Sequence, residues 1–303
     1  MVSTQKLPIL IVGATGQLGS LITKHSLQQP NLEVNILIRN PDKNKELVDQ
    51  IKNAGGRVVI GDVTKPETLK DSTKGIHTVV SALIGDDAIM YDGQKHLAED
   101  AIKNDVKRFV PSDFSVWPAK INEDEHPFIG QRIRFRKYLE TTPMKGLHVS
   151  LGIFAETFFY FMCHLFPGLH YYQSADQKID ITTYNDTARY VAAAVAKPDR
   201  VGDLKIHGDC LSINEIAEIY NRITGKNVKP ENRGSIDDIK KKMAELVEQK
   251  EYFKSILLNY EIFLFNGRGI MDKVDNAEFP EIKPLSFEEY VKANPQTTVL
   301  PEK

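Results

Sequence analysis

Cysteine is scarce in this chain of 303 residues: only Cys163 and Cys210 occur, far apart and with no metal-like spacing around either. That excludes a disulfide framework and leaves no metal centre to expect. A reducing, cytoplasmic setting is the simplest one. No charge of one sign dominates either, since 39 Lys and Arg stand against 41 Asp and Glu, a formal net charge of −2. A protein that holds a phosphate backbone needs a basic excess on at least one face, so direct nucleic-acid binding is not expected. Long hydrophobic runs are missing as well; none approaches the roughly 18 apolar residues that span a bilayer. The opening MVSTQKLPILIVGATG passes from a short polar lead into an apolar stretch too brief for a signal sequence. Neither a membrane nor a secretory role is expected.

What the chain does have is alternation. Short apolar, β-branched runs predict strands at Pro8–Val12, Val34–Ile38, Arg57–Ile60, Thr78–Leu83, Arg108–Pro111 and Gly146–Leu151. Helical spacing lies between them at Leu18–Gln28, Lys43–Ala54, Pro66–Thr73, Gly93–Asn104 and Ile129–Glu140. Parallel strands need helical crossovers, so this order predicts a doubly wound α/β fold with a parallel sheet covered on both faces. The pattern loosens after Phe154. A helix at Asn185–Lys197 and a strand near residues 201–207 are still legible, and the rest is mostly helical. The expected organisation is a sheet domain over residues 1–153, joined by that returning strand, and a smaller, mostly helical lobe over residues 154–303. The mixed-sign stretch DDIKKKMAELVEQKEYFK reads as a solvated helix face.

The loop Gly13-Ala-Thr15-Gly16-Gln17-Leu18-Gly19 joins the first strand to the first helix, the context a dinucleotide-binding loop requires. Gly13 suits the tight turn, Gly16 lets the backbone approach a pyrophosphate, and Gly19 lets helix and strand pack closely. The helix N-terminus would offer its amides to the phosphates. The alternative is a structural turn that binds nothing. Arg39 ends the second strand where an NAD-binding domain usually carries an acid, with Lys43 and Lys45 behind it. A guanidinium matches a 2′-phosphate rather than two hydroxyls, which points to NADP(H); otherwise Arg39 is one more surface arginine. Asp62 and Val63 after the third strand, and Ser81 and Ala82 ending the fourth, belong to the same site by topology, because ligands sit beyond the carboxyl ends of parallel strands. Turn chemistry alone would also explain them.

GATGQLG, IRNP, GDV, VVSA, KRFVPSDF, GIFAETFF and YNDTARYVAAA together resemble the NmrA-like and isoflavone-reductase-like group of atypical short-chain dehydrogenases over most of residues 7–200. The resemblance implies an NADP(H)-binding Rossmann domain, a smaller C-terminal lobe and a substrate cleft between them. It implies either a reductase of small aromatic, carbonyl or quinone-like substrates or a dinucleotide-binding redox sensor without turnover. Tyr91 and Lys95 have the spacing of the ordinary short-chain dehydrogenase pair but come too early in the chain. Reductases of this group instead use a lysine on the helix before the sixth strand, followed at four-residue steps by an arginine and a glutamate. Counting back from Glu140 puts Arg136 at the arginine and Arg132 at the lysine.

That exchange changes the chemistry. A buried lysine can trade a proton, whereas guanidinium keeps its own. Arg132 could orient a substrate and stabilise developing negative charge, or simply pair with a neighbouring acid. His126 is the substitute proton donor in reach of the same loop, its ordinary pKa lying near neutrality. Arg136, Phe154 and Phe158 are assigned to the substrate, the two phenylalanines as pocket wall or as ordinary core. Cys163 and His164 receive no role. The expected partner is therefore a small molecule, with a protein partner expected only of a sensor. A nucleotide-sugar epimerase is disfavoured by the missing Tyr-x-x-x-Lys pair.

Overall fold

The computed structural model describes residues 6–163 and 165–295, so His164 lies outside the described residues. Ile9, Leu10 and Ile11 are all completely buried. Such an unbroken apolar run belongs to a parallel strand covered on both faces. Along the chain follow β1 (Leu7–Val12), α1 (Gln17–Leu27), β2 (Leu32–Ile38), α2 (Lys45–Asn53), β3 (Val58–Ile60), β4 (Thr78–Ser81), α3 (Gln94–Lys103), β5 (Arg108–Val110), α4 (Pro127–Glu140) and β6 (Lys145–Ser150). Then come β7 (Ile153–Phe154), α5 (Ala155–Cys163), β8 (His170–Tyr171), β9 (Lys178–Thr182), α6 (Tyr184–Val195), β10 (Gly202–Lys205), β11 (Asp209–Ser212), α7 (Ile213–Thr224), β12 (Glu231–Asn232), α8 (Ile236–Glu248), α9 (Tyr252–Phe265) and α10 (Phe287–Ala293).

The large sheet has the order β10-β6-β5-β4-β1-β2-β3, and β1 to β6 pair in parallel throughout. Reading β3-β2-β1-β4-β5-β6, this is the doubly wound order, with its switch point between β1 and β4. The helix predicted at Pro66–Thr73 is cut to a 3₁₀ turn, Pro66–Leu69. Its continuation is captured instead by Asp100. That buried carboxylate accepts the backbone N–H of Asp71 at 2.9 Å and of Thr73 at 3.0 Å, and the hydroxyls of Ser72 and Thr73 at 3.0 and 2.7 Å. A paired buried acid outcompetes one more helical turn.

The chain divides into two compact units. One runs to Phe114 and adds Phe128–Val149 and Thr187–Leu204; the other takes Ser115–Pro127, Ser150–Asp186 and everything from Lys205 on. The second unit holds a three-stranded sheet β11-β9-β7 and a two-stranded ladder β12-β8, with most of the later helices. Its core is aromatic. Phe158, expected to wall a substrate pocket, is 0% exposed, with its ring edge-on to Phe159 and Phe287 at 5.3 and 5.6 Å. It is a core residue, because α5 turns that face inward. No described helix is long and apolar enough to cross a membrane.

Arg108 is the largest fully buried side chain, 1% exposed at the start of β5. Its guanidinium donates to the carbonyls of Val195, Lys197 and Arg200 at 2.6, 2.6 and 2.9 Å, closing the C-terminal end of α6, and to the Thr78 hydroxyl at 3.1 Å. Burial pulls its pKa down to about 10, which still leaves it charged at neutral pH. Arg108→Met should destabilise the fold by about 3–5 kcal/mol, since the Val195, Lys197 and Arg200 carbonyls lose their donor together. Urea unfolding checks this; a loss below about 1 kcal/mol would show that water replaces the guanidinium at no cost.

Candidate functional site

The loop between β1 and α1 is built on two contacts that only glycine allows. Gly13 has φ +85°, and a Cβ there would lie 2.4 Å from the Ala82 carbonyl oxygen at the end of β4. A Cβ on Gly19 would lie 2.0 Å from the Gly13 carbonyl oxygen. Gly16 differs: its φ of −80° is ordinary, and a Cβ would meet only the Gly13 oxygen, at 3.3 Å. Gly13 and Gly19 therefore close the turn, whereas Gly16 keeps a cradle open above it. Gly16 is also the N-cap of α1, with no side-chain cap and no acid in the first turn. The amides of Gln17, Leu18 and Gly19 lack intrahelical acceptors by position and carry the positive end of the helix dipole.

Beside this loop, Gly13, Thr15, Arg39, Asp62 and Val63 line one cavity together with Thr64, Leu83, Ile84 and Ile89. Arg39 stands exposed at the end of β2. The Thr64 backbone N–H and hydroxyl donate to Asp62 Oδ1 at 3.0 and 2.8 Å. The Thr64 amide above all, with its hydroxyl and the Arg39 charge, outweighs desolvation and holds the Asp62 carboxyl below the usual carboxylate range. Ser81 and Ala82 serve from beneath. Ser81 is buried with its hydroxyl 2.9 Å from that of Ser112, which also accepts the Leu83 N–H at 2.9 Å. Ala82 donates its N–H to the Val12 carbonyl at 2.8 Å. Ile84, not anticipated from the sequence, is 86% exposed at the cavity's edge. Its only signal was an apolar run, VVSALI, that outlasts the strand. The wide π-helical turn Ala88–Gly93, which brings Ile89 to the same place, left no legible mark.

Arg132 donates through Nε to the Ser112 carbonyl at 3.1 Å and through Nη1 to the Phe128 carbonyl at 2.6 Å. It thus braces the exit of β5 against the first turn of α4. Arg136, assigned to the substrate from the sequence, instead forms a two-pronged pair with Asp203 on β10 at 2.7 and 3.2 Å, with Glu140 at 3.5 Å. Its fork is committed within the sheet. His126, expected in a substrate-facing loop, is 1% exposed in the second unit. A ring nitrogen lies 3.2 Å from the Ile256 carbonyl and the ring sits edge-on to Tyr260 and Phe263; packing, not solvent, surrounds it.

In the second unit, Phe154 stacks on Tyr184 with ring centroids 4.0 Å apart. Next to it, Glu156 accepts the Tyr184 N–H on Oε1 at 2.8 Å, while Oε2 is buried with no hydrogen-bond partner. Burial first, and the Asp186 charge after it, push this carboxyl above its ordinary pKa. The sequence offered one sign of it, a single acid inside the aromatic stretch GIFAETFF.

Sheet order, glycine turn and uncapped helix end at the switch point define an α/β protein of the Rossmann class. Within that class the chain belongs to the NmrA-like family, whose model matches residues 5–291. It is 23% identical to pinoresinol reductase 1 of Arabidopsis thaliana over 95% of this chain and 97% of that one. It is 26% identical to the bifunctional pinoresinol-lariciresinol reductase of Forsythia intermedia, over 95% and 98%. Among solved structures, AtPrR2 with NADP+ and (+)-pinoresinol superposes with a TM-score of 0.79 at 21% identity, covering 95% of this chain and 99% of that one.

The two classes of glycine should separate in the melt. Gly19→Ala should lower Tm by several degrees, because its Cβ has no space. Gly16→Val should melt close to the wild type yet lose the rise in Tm that added NADPH produces. An undiminished rise in Gly16→Val would make the loop a plain turn.

Proposed function

We propose that the protein binds NADP(H) and reduces a small aromatic, carbonyl or quinone-like molecule by hydride transfer. The observation that carries this reading is Arg39 exposed on the same cavity as the glycine turn, where it can meet a 2′-phosphate. The names of the relatives, pinoresinol and lariciresinol reductases, support the aromatic substrate class. The cradle at Gly16 suits a pyrophosphate, with the first-turn amides of α1 as donors. Gly13, Thr15, Gly16, Gln17, Leu18 and Gly19 would hold the phosphates, Arg39 the 2′-phosphate, and Asp62 and Val63 the adenine.

Bound NADPH would supply the hydride, so the chain's own residues need only orient the acceptor and stabilise charge. Arg132 is the electrostatic group, acting on developing negative charge without giving up its proton. Arg132 would stabilise the negative charge that the acceptor oxygen gains, and solvent would protonate that oxygen. A non-catalytic NADP(H) sensor is the second reading, favoured by arginine rather than lysine at position 132.

NADPH should bind about tenfold or more tightly than NADH, and Arg39→Ala should narrow the gap by about 1–3 kcal/mol. Calorimetric titration measures both, and equal wild-type affinities would sink the assignment. For turnover, NADPH oxidation with quinones and aromatic carbonyl compounds is the readout. Arg132→Ala should lower kcat and kcat/KM together, roughly 10²–10³-fold, at unchanged NADPH affinity. Arg132→Lys should retain activity. Wild-type binding of NADPH without any oxidation would select the sensor.

A further inference from the structure

We propose that Asp180, His207 and Cys210 form a binding site for a divalent transition cation of the zinc class. This site does not depend on the dinucleotide reading. The antiparallel register of β9 and β11 sets Cys210 directly across from Asp180. His207 lies just before β11, where it brings Nδ1 to 2.8 Å from Asp180 Oδ1. One potential ligand atom from each of the three side chains lies within 4.8 Å of the others. Tetrahedral Zn–S and Zn–N bonds imply donor separations of about 3.5 Å, so the hydrogen-bonded His207–Asp180 pair must open slightly while any wider pair closes.

The donors are held from behind. Asp180 is buried, and its other oxygen accepts the Met271 N–H at 2.8 Å. The His207 backbone is gripped on both sides by Asn276, which accepts its N–H at 3.2 Å and donates to its carbonyl at 2.7 Å. Outer contacts of this kind orient metal ligands. One carboxylate, one imidazole and one thiol make a mixed oxygen, nitrogen and sulfur set. That set suits zinc, cobalt or copper and is too poor in oxygen for calcium or magnesium. A fourth position is left for water.

Lys178 and Glu215, bonded to each other, are the charges that face Cys210 besides Asp180. Cation binding breaks the S–H bond, forms the metal–sulfur bond and releases one proton to solvent. The sequence carries only the His207-Gly-Asp-Cys210 spacing. Asp180, 27 residues before His207, joins through the β9–β11 ladder. Occupancy would cross-link β9 and β11 and add to the hold on the segment at Met271.

The test uses the full chain, stripped with chelator and titrated with Co2+ as the spectroscopic probe. The expected result is about one equivalent bound with a thiolate-to-cobalt band in the near ultraviolet. That band should be lost in Cys210→Ser and in His207→Ala. Zn2+ should displace the cobalt and raise Tm by on the order of a few degrees in the wild type but not in Cys210→Ser. The conservative serine change keeps the fold comparison clean, checked by the melt without metal. No band in the wild type, or a band that survives Cys210→Ser, overturns the site.

Discussion

The Gly13 carbonyl oxygen lies so close to Gly19 that no side chain fits between them, and the sheet's binding edge depends on this contact. It seats the first turn of α1 against the end of β1, while the Ala82 carbonyl closes on Gly13 from the other side. Strand β1, helix α1 and strand β4 are thereby fixed at the point where the winding of the sheet reverses. The unpaired amides of the helix end follow from that placement. The proposed phosphate-binding corner arises from backbone alone.

Arginines around the sheet illustrate how neighbours, rather than residue type, assign a role. Arg108 is sealed in the core, where several carbonyls take its N–H groups. Arg136 is closed off by Asp203. Arg132 spans two backbone carbonyls near the ends of β5 and α4. Arg39 is exposed at the end of β2, with its field reaching Asp62. Arg108 and Arg136, whose forks face carbonyls or a carboxylate within the fold, hold structure together; Arg39, which faces solvent over a cradle, is placed to meet an anion.

The carboxyls divide in the same way. Asp100 gathers two backbone amides and two hydroxyls, so both of its buried oxygens are satisfied. Glu156 has one oxygen satisfied and one left without a partner. Its charged form is therefore the expensive one. The same side-chain chemistry is a fastener at one place and a carboxyl with a raised pKa at the other, and burial with few donors makes the difference.

Local rules made much of this legible in advance. The order of apolar runs and helical spacing yielded the parallel sheet, and the glycine spacing identified the turn, because both depend on residues adjacent along the chain. The NmrA-like resemblance lay in contiguous motifs of the same kind. Arg39 was legible because a strand end is a position in the sequence. Phe158, His126 and Arg136 were misread for the opposite reason. An aromatic stretch, a loop histidine and a helix arginine look alike whether they face a ligand or a core. Only Phe287, Tyr260 and Asp203, distant in the chain, settle which. Cys210 looked solitary until the β9–β11 register set Asp180 opposite it. Sequence by itself determined the order of elements and the backbone turn, since these follow from steric and periodic preferences of neighbouring residues. Tertiary structure decided burial and partnership, and with them protonation and role, because those are set by groups that folding brings together from far along the chain.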